Sequence, residues 1–220
     1  MCSHFRKLSI DKLCSENELS IDTLLINMPF SLSDITNEVL LYENPITLHN
    51  IKYTQTVLET VCKYIKSGGL LFIYGYPAQL SEIAVWLNSF EENSYHYLFK
   101  YWIALEYLPV ITHNSLPQSH IGLLVYLKTK SVSYPPKFTL DTKHVRVPHS
   151  HCKYCDNMLH DWGGKKDKMN PLGYCLSDVW KDIVCDMEMQ TIIPKICLQR
   201  IYDLCKPNGE NMVYITLENQ

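Results

Sequence analysis

A chain of 220 residues, 46% hydrophobic and 20% charged, has room for one sizeable core and reads as globular. No stretch approaches the roughly 18 uninterrupted apolar residues of a membrane span, and Met1-Cys2-Ser3-His4-Phe5-Arg6-Lys7 lacks the apolar centre of a signal peptide. A net charge of −3 and nine scattered cysteines exclude a generic polyanion coat and a disulfide framework. The thiols are expected to be reduced, and the protein intracellular: cytoplasmic if bacterial, nuclear if eukaryotic.

In chain order, Ile21 to Ile26 reads as a buried strand. Tyr53 to Ile65 carries Val57, Val61, Tyr64 and Ile65 at helical spacing and stops at Ser67-Gly68-Gly69, a natural helix end. Leu70 to Tyr74 is a second buried strand, closed by Gly75-Tyr76-Pro77. Leu80 to Phe90 is again helical, and Leu98 to Leu105 and Ile121 to Leu127 are further strands. Ser131 to about Gly173 breaks the pattern with Pro135-Pro136, Pro148, Gly163-Gly164 and Pro171. Ile192 to Cys205 resumes helical spacing, and Met212 to Leu217 begins one more strand. The order predicts an α/β protein with a mostly parallel sheet flanked by helices and an irregular insert. Trp180 and the cysteines Cys62, Cys185, Cys197 and Cys205 are expected in the core.

Three features bear on chemistry. Asn27-Met28-Pro29-Phe30 ends the first strand with an amide, a proline and an aromatic ring, and ligands of open α/β sheets bind at that end of a strand. The groups suit a flat nucleobase, although Asn and Pro are also ordinary turn residues. From Lys128 to Lys168, nine Lys or Arg stand against four Asp, a net +5 that leaves −8 for the rest. Such local charge suits a phosphate backbone or a solvated loop; the residues expected to contact nucleic acid are Lys143, Arg146, Lys153, Lys165, Lys166 and Lys168. Finally, His149, Cys152 and Cys155 have the spacing of half a zinc site, with His151, His160 or Cys175 as further donors. Reduced thiols stabilising a turn explain the same spacing.

In this order the sequence resembles the β-type DNA amino-methyltransferases, which modify adenine N6 or cytosine N4. Their catalytic signature is Asp, Asn or Ser, then Pro-Pro, then Tyr, Phe or Trp, and Asn27-Met28-Pro29-Phe30 matches three of its four positions. Gly68-Gly69-Leu70-Leu71-Phe72-Ile73-Tyr74-Gly75 resembles the glycine-led strand that follows. Leu116 to Lys128 is similar to the segment in which a His precedes a strand ending in Lys. His149-x-x-Cys152-x-x-Cys155, Asp161-Trp162-Gly163-Gly164-Lys165-Lys166 and Ser177 to Asp182 resemble blocks of one branch, and Ile193 to Ile201 the helix before the cofactor half.

The resemblance implies a Rossmann-like methyltransferase sheet, S-adenosylmethionine as cofactor, DNA as substrate, and Asn27, Pro29 and Phe30 as catalytic residues. It divides the chain into a catalytic half (1–130), a basic target-recognition insert (131–182) and a returning helix and strand (183–220). Two departures qualify it. Met28 replaces the first proline, which is expected to loosen the loop. The segment after Pro207-Asn208-Gly209 lacks the glycine loop of a cofactor pocket, so the sheet is expected to be incomplete at that end. Its uncovered edge would need a methyltransferase-like partner or a second copy. A split or degenerate methyltransferase subunit, a non-catalytic DNA-binding scaffold and a zinc-containing nucleic-acid module all remain open.

Overall fold

The computed structural model describes residues 4–16, 20–29, 45–110, 118–159, 163–185 and 192–217. Along the chain run β1 (Arg6–Lys7), α1 (Ile10–Ser15), β2 (Ile21–Asn27), α2 (Pro45–Val61), β3 (Ile65–Gly75), α3 (Pro77–Ser89), β4 (Glu91–Glu92), β5 (Tyr95–Val110) and β6 (Gln118–Thr129). Then follow β7 (Arg146–Val147), β8 (Tyr174–Cys175), β9 (Val179–Cys185), α4 (Lys195–Cys205) and β10 (Met212–Thr216). The main sheet has the order β1-β10-β2-β3-β6-β5-β4, with β9 also on β5. The ladders from β1 to β3 are parallel, as is β5–β9, whereas β6 lies antiparallel between β3 and β5.

The central strands are continuous apolar runs because both faces are covered, as parallel strands require. Leu24, Ile26, Leu71 and Ile73 point to one face, where Leu58 and Val61 of α2 and Leu80, Ile83 and Leu87 of α3 pack on them. Leu25, Leu70, Phe72 and Tyr74 alternate to the other face, against Cys197, Ile201 and Leu204 of α4 and Trp180 of β9. Beyond β10 the edge is short rather than bare: Arg6 and Lys7 pair with Val213 and Tyr214, and the Leu8 N–H continues to the Tyr214 carbonyl at 3.1 Å. No helix of the described residues is long and apolar enough to cross a membrane.

Several local expectations shift. The first long helix begins at Pro45, and Ser67-Gly68-Gly69 is not its end but part of β3. The register against β2 jumps there, from Ile21↔Ile65 to Thr23↔Leu70. Gly68 takes φ +82° in that irregularity, and a Cβ on Gly69 would lie 2.6 Å from the Ile65 side chain. Strand β9 emerges at the border of the insert, with Leu105 opposite Trp180. Cys62, Cys197 and Cys205 are buried, and burial pushes the thiols of Cys62 and Cys205 up to about 12. Lys128, counted in the basic segment, is 2% exposed. Its ammonium reaches Glu92 at 2.7 Å and the Cys62 carbonyl at 2.8 Å, so it braces the sheet.

Arg200 of α4 is likewise structural. Its guanidinium bonds both carboxylate oxygens of Asp182 on β9, and lies 5.1 Å from the Trp180 ring centroid. Burial alone would raise the Asp182 carboxyl, but the Arg200 bonds outweigh it and hold the group below its ordinary value. Arg200→Ala should therefore lower unfolding free energy by about 3 kcal/mol at neutral pH, read from urea titrations. A carboxyl depressed in the folded state stabilises fully above its unfolded value, near pH 4, and loses that contribution as pH falls through the folded value. The deficit of Arg200→Ala should accordingly shrink in titrations below about pH 4.

Candidate active site and nucleic-acid interface

Strands β10, β2 and β3 run in parallel and end side by side, with Thr216 opposite Asn27 and Asn27 opposite Tyr74. Asn27 is the last residue of β2 and is 1% exposed. Its Oδ1 accepts the Ile193 N–H at 3.1 Å, and its Nδ2 lies 3.4 Å from the Met28 carbonyl. Its own backbone carbonyl accepts the Leu217 N–H at 3.0 Å. One residue thus joins the end of β2 to the approach to α4 and the exit of β10.

Met28, which replaces the first proline of the motif, packs inward. It is fully buried in the core beside Leu80, and its N–H donates to the Tyr74 carbonyl at 2.9 Å. Its side chain lies against Gly75, where an added Cβ would stand 3.2 Å from the sulfur. Pro29 is buried behind it. Phe30 lies outside the described residues.

Of the basic candidates, the structure brings Arg146, Lys165 and Lys168 to one cleft of about 760 Å³, together with His149, Asn170 and Tyr174. Arg146 is held there by bonds to the carbonyls of Lys143 (3.1 Å) and Gly173 (3.3 Å). Gly173 needs φ +116° to pass Val147, whose carbonyl would collide with an added Cβ. Tyr174 is half-exposed and offers its ring to the cleft; sequence reasoning missed it, since a lone aromatic in an irregular insert carries no periodic signal. Lys143 and Lys153 are exposed and are not among the residues that line this cleft, and Lys166 lies in a turn with Lys168.

The proposed zinc ligands do not assemble. No group of three His, Cys, Asp or Glu side chains among the described residues could hold a metal ion. His149 Nε2 is bonded to the Asn170 carbonyl at 2.8 Å. Cys152 and Cys155 instead form a tight turn, closed by Cys152 N–H to Asn157 (2.8 Å) and Asp156 N–H to Cys152 (3.0 Å). The backbone N–H groups of Tyr154 and Cys155 aim at the Cys152 sulfur and lower its pKa. His160 and Trp162 lie outside the described residues.

The mostly parallel sheet, with Asn27 at the joined carboxyl ends of three strands, is that of a methyltransferase-type α/β protein. By sequence and fold the chain is a member of the DNA amino-methyltransferase family over the part of it that it spans. It is 32% identical over 167 residues, 74% of its length, to the type II methyltransferase M.BamHI of Bacillus amyloliquefaciens, and spans 36% of that relative. Among solved structures it matches M1.HpyAVI (TM-score 0.51, 12% identity, 97% of this chain and 91% of that one). It also matches TTHA0409 of Thermus thermophilus, a proposed DNA modification methylase (TM-score 0.52, 12% identity, 99% and 89%). These two likenesses concern the fold. No family model matches the chain.

Because Met28 is core, restoring a proline should not stiffen the loop. Met28→Pro removes a ladder hydrogen bond and a buried side chain, and should cost about 2–4 kcal/mol of stability. Chemical denaturation at neutral pH checks this; an unchanged midpoint would show the loop repacks freely.

Proposed function

We propose that this chain carries the base-positioning and DNA-recognition part of an S-adenosylmethionine-dependent DNA amino-methyltransferase acting on adenine N6 or cytosine N4. The observation that carries the reading is the seat of Asn27 at the joined ends of β10, β2 and β3, one strand from a buried aromatic, Tyr74. The amine of a stacked base is out of reach, so the target must leave the helix. Arg146, Lys165 and Lys168 supply cations for the flanking phosphates, and Tyr174 a ring on which a base or sugar can rest. Asn27 Oδ1 accepts from the exocyclic amine once it exchanges its bond to Ile193, so the amine is held in one orientation.

TTHA0409 has been solved with S-adenosylmethionine, in a structure matching this chain at TM-score 0.50. Next to β10 the Leu217 N–H is engaged by the Asn27 carbonyl and its side chain is 3% exposed, so this amide is committed within the protein. The cofactor is assigned to this polypeptide or to a methyltransferase-like partner. A second reading, a DNA-binding scaffold without catalysis, draws on the same bonds: the Asn27 amide is engaged and Met28 is packed away.

Charge reversal at Lys165 or Lys168 should weaken duplex binding and flatten its salt dependence, each lost phosphate contact lowering the log–log slope by about 0.9. Asn27→Ala should leave that slope unchanged while abolishing methyl transfer to plasmid DNA, measured as methylated nucleosides by mass spectrometry. Methylation that persists in Asn27→Ala would support the scaffold reading and move the active site elsewhere.

A further inference from the structure

Gln79 stands in the first turn of α3, just after Tyr76-Pro77-Ala78. Its side chain is 0% exposed, yet neither Nε2 nor Oε1 has a hydrogen-bond partner among the described residues. Buried amides are almost always paired, and an unpaired one costs stability that an apolar side chain of the same length would not. Packing alone therefore gives no reason for a glutamine here.

Its location supplies one. Strand β3 ends at Gly75, beside the end of β2, with Tyr74 opposite Asn27. The chain that leaves Gly75 thus enters α3 alongside Asn27-Met28-Pro29. Leu80, the next residue after Gln79, packs in the same cluster as Met28 and lies against Gly75. Helix α2, which descends from that same end of the sheet, contributes a second buried amide, Asn50, 2% exposed and with its Nδ2 unpartnered among the described residues. Meanwhile Asn27 Oδ1, the acceptor expected to meet a base amine, is already taken by Ile193.

We propose that Gln79 is a base-reading residue of this site, its carboxamide pairing with an extruded base along the edge where an exocyclic amine adjoins a ring nitrogen. Adenine and cytosine each present an N–H donor beside a ring-nitrogen acceptor on that edge. A carboxamide answers both at once, Oε1 accepting from the amine and Nε2 donating to the ring nitrogen. The base is then the missing partner of the buried amide. Gln79 holds the plane of the ring, and Asn27 is left to act on the amine. The inference rests on the reading of this site as a base pocket.

The test uses single-stranded oligonucleotides, in which bases are already unstacked, and the full chain. Oligo(dA) is compared with oligo(dI), and oligo(dC) with oligo(dT); each pair exchanges an amine and ring nitrogen for a carbonyl and N–H. The wild-type chain should prefer one amine-bearing strand over its counterpart by about tenfold, the worth of a good bidentate contact. Gln79→Met should erase that preference, keep the affinity for the counterpart strand, and raise the thermal midpoint because a buried unpaired amide has gone. A preference that survives Gln79→Met overturns the proposal, as does a lowered midpoint, which would reveal an internal partner. Asn27→Ala separates the two levels of inference. If it removes the preference and Gln79→Met does not, only the role of Gln79 falls. If the wild-type chain shows no preference, the base pocket falls with it.

Discussion

Strand β2 is buried along its whole length apart from Asp22, and its last side chain is polar. That combination is demanding, because an amide shut away from water must find partners within the protein. Asn27 finds them in segments far apart in sequence, Ile193 for its Oδ1 and Leu217 for its carbonyl. The demand propagates. Residue 193 is set just before α4, and residue 217 just after β10, so the helix on one face and the strand alongside β2 are both registered to one residue. The two apolar faces of the sheet supply most of the stabilisation, while this polar joint fixes which elements meet at the carboxyl ends.

Charged groups divide into two populations that composition could not separate. Lys128 and Arg200 are buried and committed to Glu92 and Asp182, where removing one partner leaves an uncompensated charge. Arg146, Lys165 and Lys168 line a solvent cleft with no carboxylate among its described lining residues. The first group ties β4 to β6 and β9 to α4. The second keeps its charge available to an outside anion.

How much was legible depended on whether a signal was local. The strands at 21–27 and 212–216 and the helix at 77–89 follow from unbroken or periodic apolar runs, and the motif at Asn27 stands in a few consecutive residues. Gly68-Gly69 misled because a glycine pair serves equally to end a helix or to irregularise a strand, and only the register against β2 tells which. Strand β9 was hidden: Val179-Trp180-Lys181-Asp182 has neither clean alternation nor length, and is a strand because β5 offers it an edge. The burial of Met28, the engagement of Asn27 and the solitude of the Gln79 amide are tertiary facts with no local trace. So is the failure of His149, Cys152 and Cys155 to converge, since correct spacing does not orient a ring already bonded to Asn170.

The segregation of charge gives the molecule an electrostatic polarity. With the buried Lys128 paired to Glu92, the charge stands at +4 between Lys130 and Lys168 and −7 elsewhere, so a polyanion drifting toward the chain is repelled by most of it and drawn to the basic segment. Within the roughly 8 Å over which fields persist at physiological salt, this acts as a torque rather than a simple attraction. Encounters begin with the insert foremost. A chain that is acidic overall can thus favour one orientation toward a polyanion, because the other approaches are opposed before contact.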